Sequence, residues 1–199
     1  MQIETVITGD LQVNCYVVIN NGEAVVIDPG DDAQKIIDAA GANKIKAVLL
    51  THGHFDHTGA ADILQKNGAE VYVSKNDAAM LADSYLNLSS PFGFPFKPVK
   101  NDRVYEDELN IIGLSFKVIE TPGHTVGSIC LYSDGILFSG DTLFYGSIGR
   151  TDFPGGSFEV IAQSIRQKLY KLPDDTCVYA GHGEPTTIYN EKMTNPFVR

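Results

Sequence analysis

Three cysteines, at positions 15, 130 and 177, are too few and too widely spaced for a disulfide framework, and their odd number leaves at least one unpaired. Each lies in an apolar, strand-like stretch, as in Cys15-Tyr16-Val17-Val18 and Cys177-Val178-Tyr179, so all three are expected to be buried free thiols. Positive charge is scarce too. Fifteen Lys and Arg against 25 Asp and Glu give a formal net charge of −10, which argues against a broad electrostatic grip on nucleic acid or an anionic membrane. No apolar run approaches membrane-spanning length, and the first residues show no basic region leading into an apolar one, so neither a membrane span nor a signal peptide is expected. A reducing, cytoplasmic setting follows. There is no Gly-x-Ser-x-Gly around Ser139, and Gly146-Ser147-Ile148-Gly149 lacks the lysine and helix pattern of a phosphate loop. With no fixed-period repeat, low-complexity tract or linker, residues 1–199 read as one domain, and 43% apolar residues suffice for its core.

Apolar periodicity sketches the elements. Ile3–Thr8, Val13–Ile19 and Ala24–Asp28 read as strands, and Ala33, Ile36, Ile37 and Ala40 mark a helix that Gly41 stops. Ala47–Leu50 reads as a strand buried on both faces. Thr58 is a candidate cap for a helix carrying Ala61, Ile63 and Leu64. Val71–Val73 is a further strand and Asp77–Leu81 a helical turn. Residues 89–98 alternate Pro91, Pro95 and Pro98 with Phe92, Phe94 and Phe96, which predicts neither regular helix nor central strand. That segment is expected as a surface loop with its phenylalanines tucked onto the core, the alternative being a flap over a site. Strands follow at Leu109–Ile112, Ser115–Thr121, Ser128–Tyr132, Ile136–Ser139 and Thr176–Ala180. A helix is expected over Phe158–Leu172, with Phe158, Ile161, Ile165, Leu169 and Leu172 in one stripe.

The chemistry concentrates in Thr51-His52-Gly53-His54-Phe55-Asp56-His57. Four potential metal ligands fall within six residues, directly after a buried strand. His52 and His54 are two apart, so an extended segment points both rings the same way, while Asp56 and His57 lie past a turn and can face a second ion. The chain has five histidines. The other two, His124 and His182, and also Asp141, sit in glycine-containing turns straight after predicted strands. Strand ends fix position well, as metal sites require. Seven imidazole and carboxylate ligands exceed what one tetrahedral ion takes and suit a pair of divalent ions, zinc first, with iron or manganese as alternatives. Two dications outweigh two carboxylates and a hydroxide, so the site should attract a small anionic substrate or a polarised carbonyl.

Asp28-Pro29-Gly30, the His52–His57 cluster, His124, Asp141 and His182 together resemble, in order, the motif positions of the metallo-β-lactamase superfamily. Gly140-Asp141-Thr142-Leu143-Phe144 and Gly181-His182-Gly183-Glu184-Pro185-Thr186-Thr187 are similar to its glyoxalase II-like branch, in a short form without the helical C-terminal extension. The resemblance implies an α/β fold: a four-layer αββα sandwich, two mixed sheets face to face with helices outside. It implies that His52, His54 and His124 hold one metal, that Asp56, His57 and His182 hold the other, and that Asp141 bridges them. Asp28 and Thr51 would orient ligand imidazoles. Asp56 and Asp141 would be the catalytic carboxylates. The implied activity is hydrolysis of a hydroxyacylglutathione-like, anionic thioester or related small ester by a metal-bridging hydroxide. Gly149-Arg150-Thr151-Asp152 also resembles iron-dependent persulfide dioxygenases, which keeps an oxidoreductase as the alternative, and a non-catalytic metal-binding module as a third. Arg150 either docks a substrate carboxylate or pairs with Asp152.

Overall fold

The computed structural model describes residues 1–199. Six strands build the first sheet in the order β1 (Gln2–Thr8), β2 (Val13–Asn20), β3 (Glu23–Ile27), β4 (Lys44–Leu49), β5 (Glu70–Val73) and β6 (Arg103–Val104). β1, β2 and β3 pair antiparallel, and β3 through β6 pair parallel. The second sheet runs β14 (Thr186–Thr187), β13 (Cys177–Ala180), β10 (Ile136–Gly140), β9 (Ile129–Ser133), β8 (Leu114–Glu120) and β7 (Glu108–Ile111). It is antiparallel except where β10 pairs β13 in parallel. A two-strand ribbon, β11 (Leu143–Phe144) with β12 (Ser147–Ile148), stands apart.

Period-two side-chain alternation makes the central strands work on both faces. Val25, Ile27, Ala47 and Leu49 point between the sheets, where they meet Phe116, Leu131 and Phe138 from the other sheet. Val26, Val48 and Leu50 point the opposite way, onto Ile36 of helix α1 (Ala33–Ala40) and Leu64 of α3 (Ala61–Lys66). Cys130, Leu137 and Val178 form the outer face of the second sheet, covered by Ile161 and Ile165 of α5 (Phe158–Gln167). Each such fully buried aliphatic side chain contributes about 1.5–3 kcal/mol. The result is helix, sheet, sheet, helix: the four layers that the family resemblance implies. No helix is long and apolar enough to cross a membrane.

Several local expectations need correction. α5 ends at Gln167 and is followed by a 3-10 turn over Leu169–Lys171, closed by bonds from the Lys171 and Leu172 N–H groups to the Lys168 and Leu169 carbonyls. Ile161, Ile165 and Leu169 keep the buried stripe, but Phe158 at its start is exposed. Thr58 caps nothing: the histidine cluster itself closes into one helical turn, α2 (Phe55–Thr58), and α3 starts after Ala60. Residues 89–98 open with a helical turn, α4 (Ser89–Phe92), where Pro91 is tolerated because first-turn N–H groups have no partner in the helix. Cys15 and Cys130 are buried, whereas Cys177, at the first position of β13, faces solvent.

Candidate metal centre

All seven candidate ligands converge where strands of both sheets end. His52 and His54 follow β4, while Asp56 and His57 lie on α2. His124 follows β8, Asp141 follows β10 and His182 follows β13. Ligand atoms of His52, His54 and His124 lie within 4.8 Å of one another, as do those of Asp56, His57 and His182. Asp141 stands between the triads. Its Oδ1 is 3.3 Å from His57 Nε2, and its Oδ2 is 3.6 Å from His124 Nε2 and 3.7 Å from His182 Nε2.

Hydrogen bonds behind the rings fix which nitrogen is free. His124 Nδ1 lies 2.8 Å from the Arg150 carbonyl oxygen and His182 Nδ1 3.1 Å from that of Leu11. A carbonyl only accepts, so in both rings Nδ1 carries the proton and the Nε2 lone pair points into the site. His57 Nδ1 is 3.0 Å from Asp28 Oδ2, with the same consequence. Thr51 Oγ1 donates to Asp28 Oδ2 at 2.7 Å and accepts from His52 Nδ1 at 3.0 Å. Asp28 also accepts the Thr51 N–H at 2.8 Å. Asp28 closes β3 in the left-handed region, at φ 49°, a conformation aspartate tolerates better than most residues. Its carboxylate oxygens are thus engaged by Thr51 and His57, although Asp28 also lies near His52. His54 presents Nδ1, 3.0 Å from His124 Nε2.

The fit to cations rests on what these bonds leave over. His52 Nε2, His57 Nε2 and Asp141 Oδ1 are buried without any hydrogen-bond partner, a costly arrangement unless a ligand takes them up. Burial pushes His52 well below the usual histidine range and His54 down to about 3, which keeps both rings neutral as metal ligands require. Burial works against charge on Asp141 and His57. His57, His124 and His52 nevertheless hold Asp141 well below the carboxylate range, while Asp141, Asp56 and Asp28 push His57 well up. The neutral rings of His52 and His54, the carboxylates around His57 that favour an added positive charge, and the orphaned atoms between them form a donor set suited to a pair of divalent cations.

Two glycines are needed for this approach. A Cβ on Gly181 would sit 2.3 Å from Asp141 Oδ1 and 2.8 Å from His57 Cε1. One on Gly53 would sit 2.7 Å from Met80 Cβ, so the segment joining His52 and His54 can pass only as glycine. Sequence reasoning missed Asp77. This residue is 1% exposed and accepts the Gly53 N–H at 3.1 Å, the Gly127 N–H at 2.8 Å and the Thr125 hydroxyl at 2.7 Å. It ties the His52–His54 segment to the loop carrying His124.

A cleft of about 440 Å³ opens over the site, lined by His54, Asp56, His124, Asp141 and His182 on its floor. Phe92 and Phe94 reach this cleft instead of tucking onto the core; Phe94 stacks on Phe55 at 4.6 Å, and Phe92 meets Phe153 edge-on at 5.7 Å. Arg150 lines it too. Its Nε and Nη2 donate to both carboxylate oxygens of Asp152, at 2.8 and 2.7 Å, and its guanidinium lies 3.9 Å from the Phe153 ring centroid.

The fold and this site define a class. Residues 8–182 match the Metallo-beta-lactamase superfamily, and the chain belongs to that family. It is 39% identical to hydroxyacylglutathione hydrolase GloC of Haemophilus influenzae, over 100% of this chain and 98% of that protein. It is similar to the crystal structure of BLEG-1, a B3 metallo-beta-lactamase, with TM-score 0.92, 39% identity and 99% of each chain covered. TTHA1623 in a di-iron-bound form gives TM-score 0.87 and 36% identity, with 98% of this chain and 99% of that one covered. The chain is thus of metallo-hydrolase type, and its histidine and aspartate clusters fit a dinuclear centre.

Proposed function

We propose that this protein hydrolyses thioesters, with His52, His54 and His124 holding one divalent cation, Asp56, His57 and His182 the other, and Asp141 bridging. The observation that carries the metal assignment is the set of buried, partnerless atoms His52 Nε2, His57 Nε2 and Asp141 Oδ1 between two triads. Zinc suits a donor set without thiolate or redox partner, and three unpaired thiols are in keeping with a cytoplasmic setting. When bound, two such cations lower the pKa of water toward about 7 and polarise a carbonyl oxygen. The chain's own part is to hold this geometry. Asp28 and Thr51 lock His57 and His52 in one tautomer, the Arg150 and Leu11 carbonyls do so for His124 and His182, and Asp56 and Asp141 supply the negative charge.

The leaving group selects the thioester. An amide nitrogen must be protonated to depart, whereas a thiolate, whose conjugate acid has a pKa of about 8.5, leaves as it is. The cleft offers no Tyr, Lys, Glu or Cys, and every titratable group on its floor belongs to the ligand set. The name of GloC supports this reading, and that of BLEG-1 makes a β-lactam the competitor to test. The second reading, an iron-dependent persulfide dioxygenase with one metal, rests on the run Gly149-Arg150-Thr151-Asp152 and on the likeness to the crystal structure of ETHE1 from Myxococcus xanthus, at TM-score 0.83 and 28% identity. Metal analysis with a panel of thioester, lactone, ester and β-lactam substrates decides. Two ions per chain with the thioester turned over best is the expected result. A β-lactam as best substrate, or a ceiling of one ion with oxygen uptake on a persulfide, overturns it.

A further inference from the structure

The walls of the cleft differ in kind from its floor. Phe55, Phe92, Phe94, Phe144 and Phe153, half of the chain's 10 phenylalanines, line it together with Ile148. The apolar surface starts on the ligands themselves: Phe153 stands edge-on to His54 at 5.7 Å and Phe144 edge-on to His182 at 6.2 Å. Phe92 at the mouth is 51% exposed. Outside the ligand set, the only polar side chains on the lining are Ser147 and Arg150. Arg150 is the one cation, and its charge is already matched: the bidentate pair holds the Asp152 carboxyl at about 2, so the partner is an anion at any physiological pH. The guanidinium face spread on Phe153 makes the pair part of the wall. A peptide-like thiol such as glutathione brings carboxylates and an ammonium group, and nothing on this wall answers them.

Resting on the thioesterase reading, we propose that the cleft selects substrates by an apolar acyl group, aliphatic or arylacyl, and not by a charged thiol carrier. The acyl carbon lies over the floor while its tail packs among Phe92, Phe144 and Phe153. Burying one more methylene on this surface raises kcat/KM about fourfold, the equivalent of about 0.8 kcal/mol. Here Arg150 acts through packing, so Arg150→Ala weakens charged and uncharged carriers alike.

The test uses zinc-loaded protein with acetyl, butanoyl, hexanoyl and phenylacetyl thioesters, each on glutathione and on uncharged N-acetylcysteamine. In parallel, the free acids acetate, butanoate, hexanoate and phenylacetate are titrated calorimetrically. The expected result is a rise of about fourfold per methylene in kcat/KM on both carriers and a matching rise in acid affinity. Phe92→Ala and Phe153→Ala should reduce that slope. A flat series in both readouts, or a consistent preference for the glutathione carrier at equal acyl group, overturns the proposal. Absence of thioester turnover with the affinity slope intact would overturn the hydrolase reading and leave the acyl cleft assigned.

Discussion

Alanine in place of Asp77 removes one acceptor from three donors at once. The Thr125 hydroxyl keeps a second partner, Ser128 Oγ at 2.7 Å, but the N–H groups of Gly53 and Gly127 lose the acceptor they have. A buried donor left without an acceptor costs about 1–3 kcal/mol, so two cost about 2–6 kcal/mol, with entering water moving the value toward the low end. In a chain of this size each kcal/mol lowers Tm by about 2–4 °C, so a loss of about 3 kcal/mol corresponds to about 6–12 °C. The effect on the metal centre is separate. Gly53 lies between His52 and His54, and Thr125 follows His124, so all three ligands of one triad lose a shared tether. Removing a partner that orients ligands lowers metal affinity about 10–100-fold. Thermal unfolding of the metal-free protein gives the first quantity, and competition with a chelator gives the second. The visible spectrum of the cobalt-substituted protein would report distorted coordination, which a mere loss of stability does not. Asp77→Asn should fall in between, since its amide can accept the Gly53 and Thr125 bonds while its NH2 faces the Gly127 N–H. A Tm within about 2 °C of the parent, together with unchanged affinity for both ions, would refute the idea of a tether.

Asp141→Asn should abolish turnover and lower the occupancy of both sites, because the Asp141 carboxylate lies within 3.7 Å of histidines of both triads, while Asp56→Asn should lose chiefly one of the two ions; metal content after dialysis checks both. Zinc at about 100 times its Kd should stabilise the fold by about 2.7 kcal/mol, so chelation should lower Tm by about 5–11 °C, measured by scanning calorimetry. Cys177 alone should react rapidly with a thiol reagent at pH 8, since Cys15 and Cys130 are buried and burial pushes the Cys130 thiol up to about 11; both should appear only in urea.

The legible part of the site shared one property: ligand type and placement at a strand end are both written locally. The cluster from His52 to His57, and His124, Asp141 and His182 each in a glycine turn, could be picked out because a metal ligand is defined by its own side chain and its own turn. The strand Ala47–Leu50 was legible for a similar reason, as an unbroken apolar run because it is buried on both faces, whereas the four layers followed from the family resemblance. Asp77 carries no such mark. Its neighbours are polar and small, and its meaning lies in donors at positions 53, 125 and 127, which only the fold brings within reach. Cys177 escaped because an apolar neighbourhood in sequence does not say which face of an end residue meets solvent. The ribbon of β11 and β12 escaped because two-residue strands leave no period to read.

The Phe-rich segment shows where local reading reaches its limit in a way that matters for function. Three phenylalanines among three prolines predict burial, because exposing such rings to water is unfavourable. Prolines prevent the segment from joining a sheet, and none of Phe92, Phe94 and Phe96 enters a buried core cluster. The remaining apolar surface within reach is the rim of the metal cleft, where Phe55 and Phe153 offer ring faces and edges. Phe92 and Phe94 settle there, but their burial is incomplete, and Phe92 keeps half its surface in water. An apolar acyl group entering the cleft would complete that burial, so the same hydrophobic drive that places the segment also supplies its affinity for substrate.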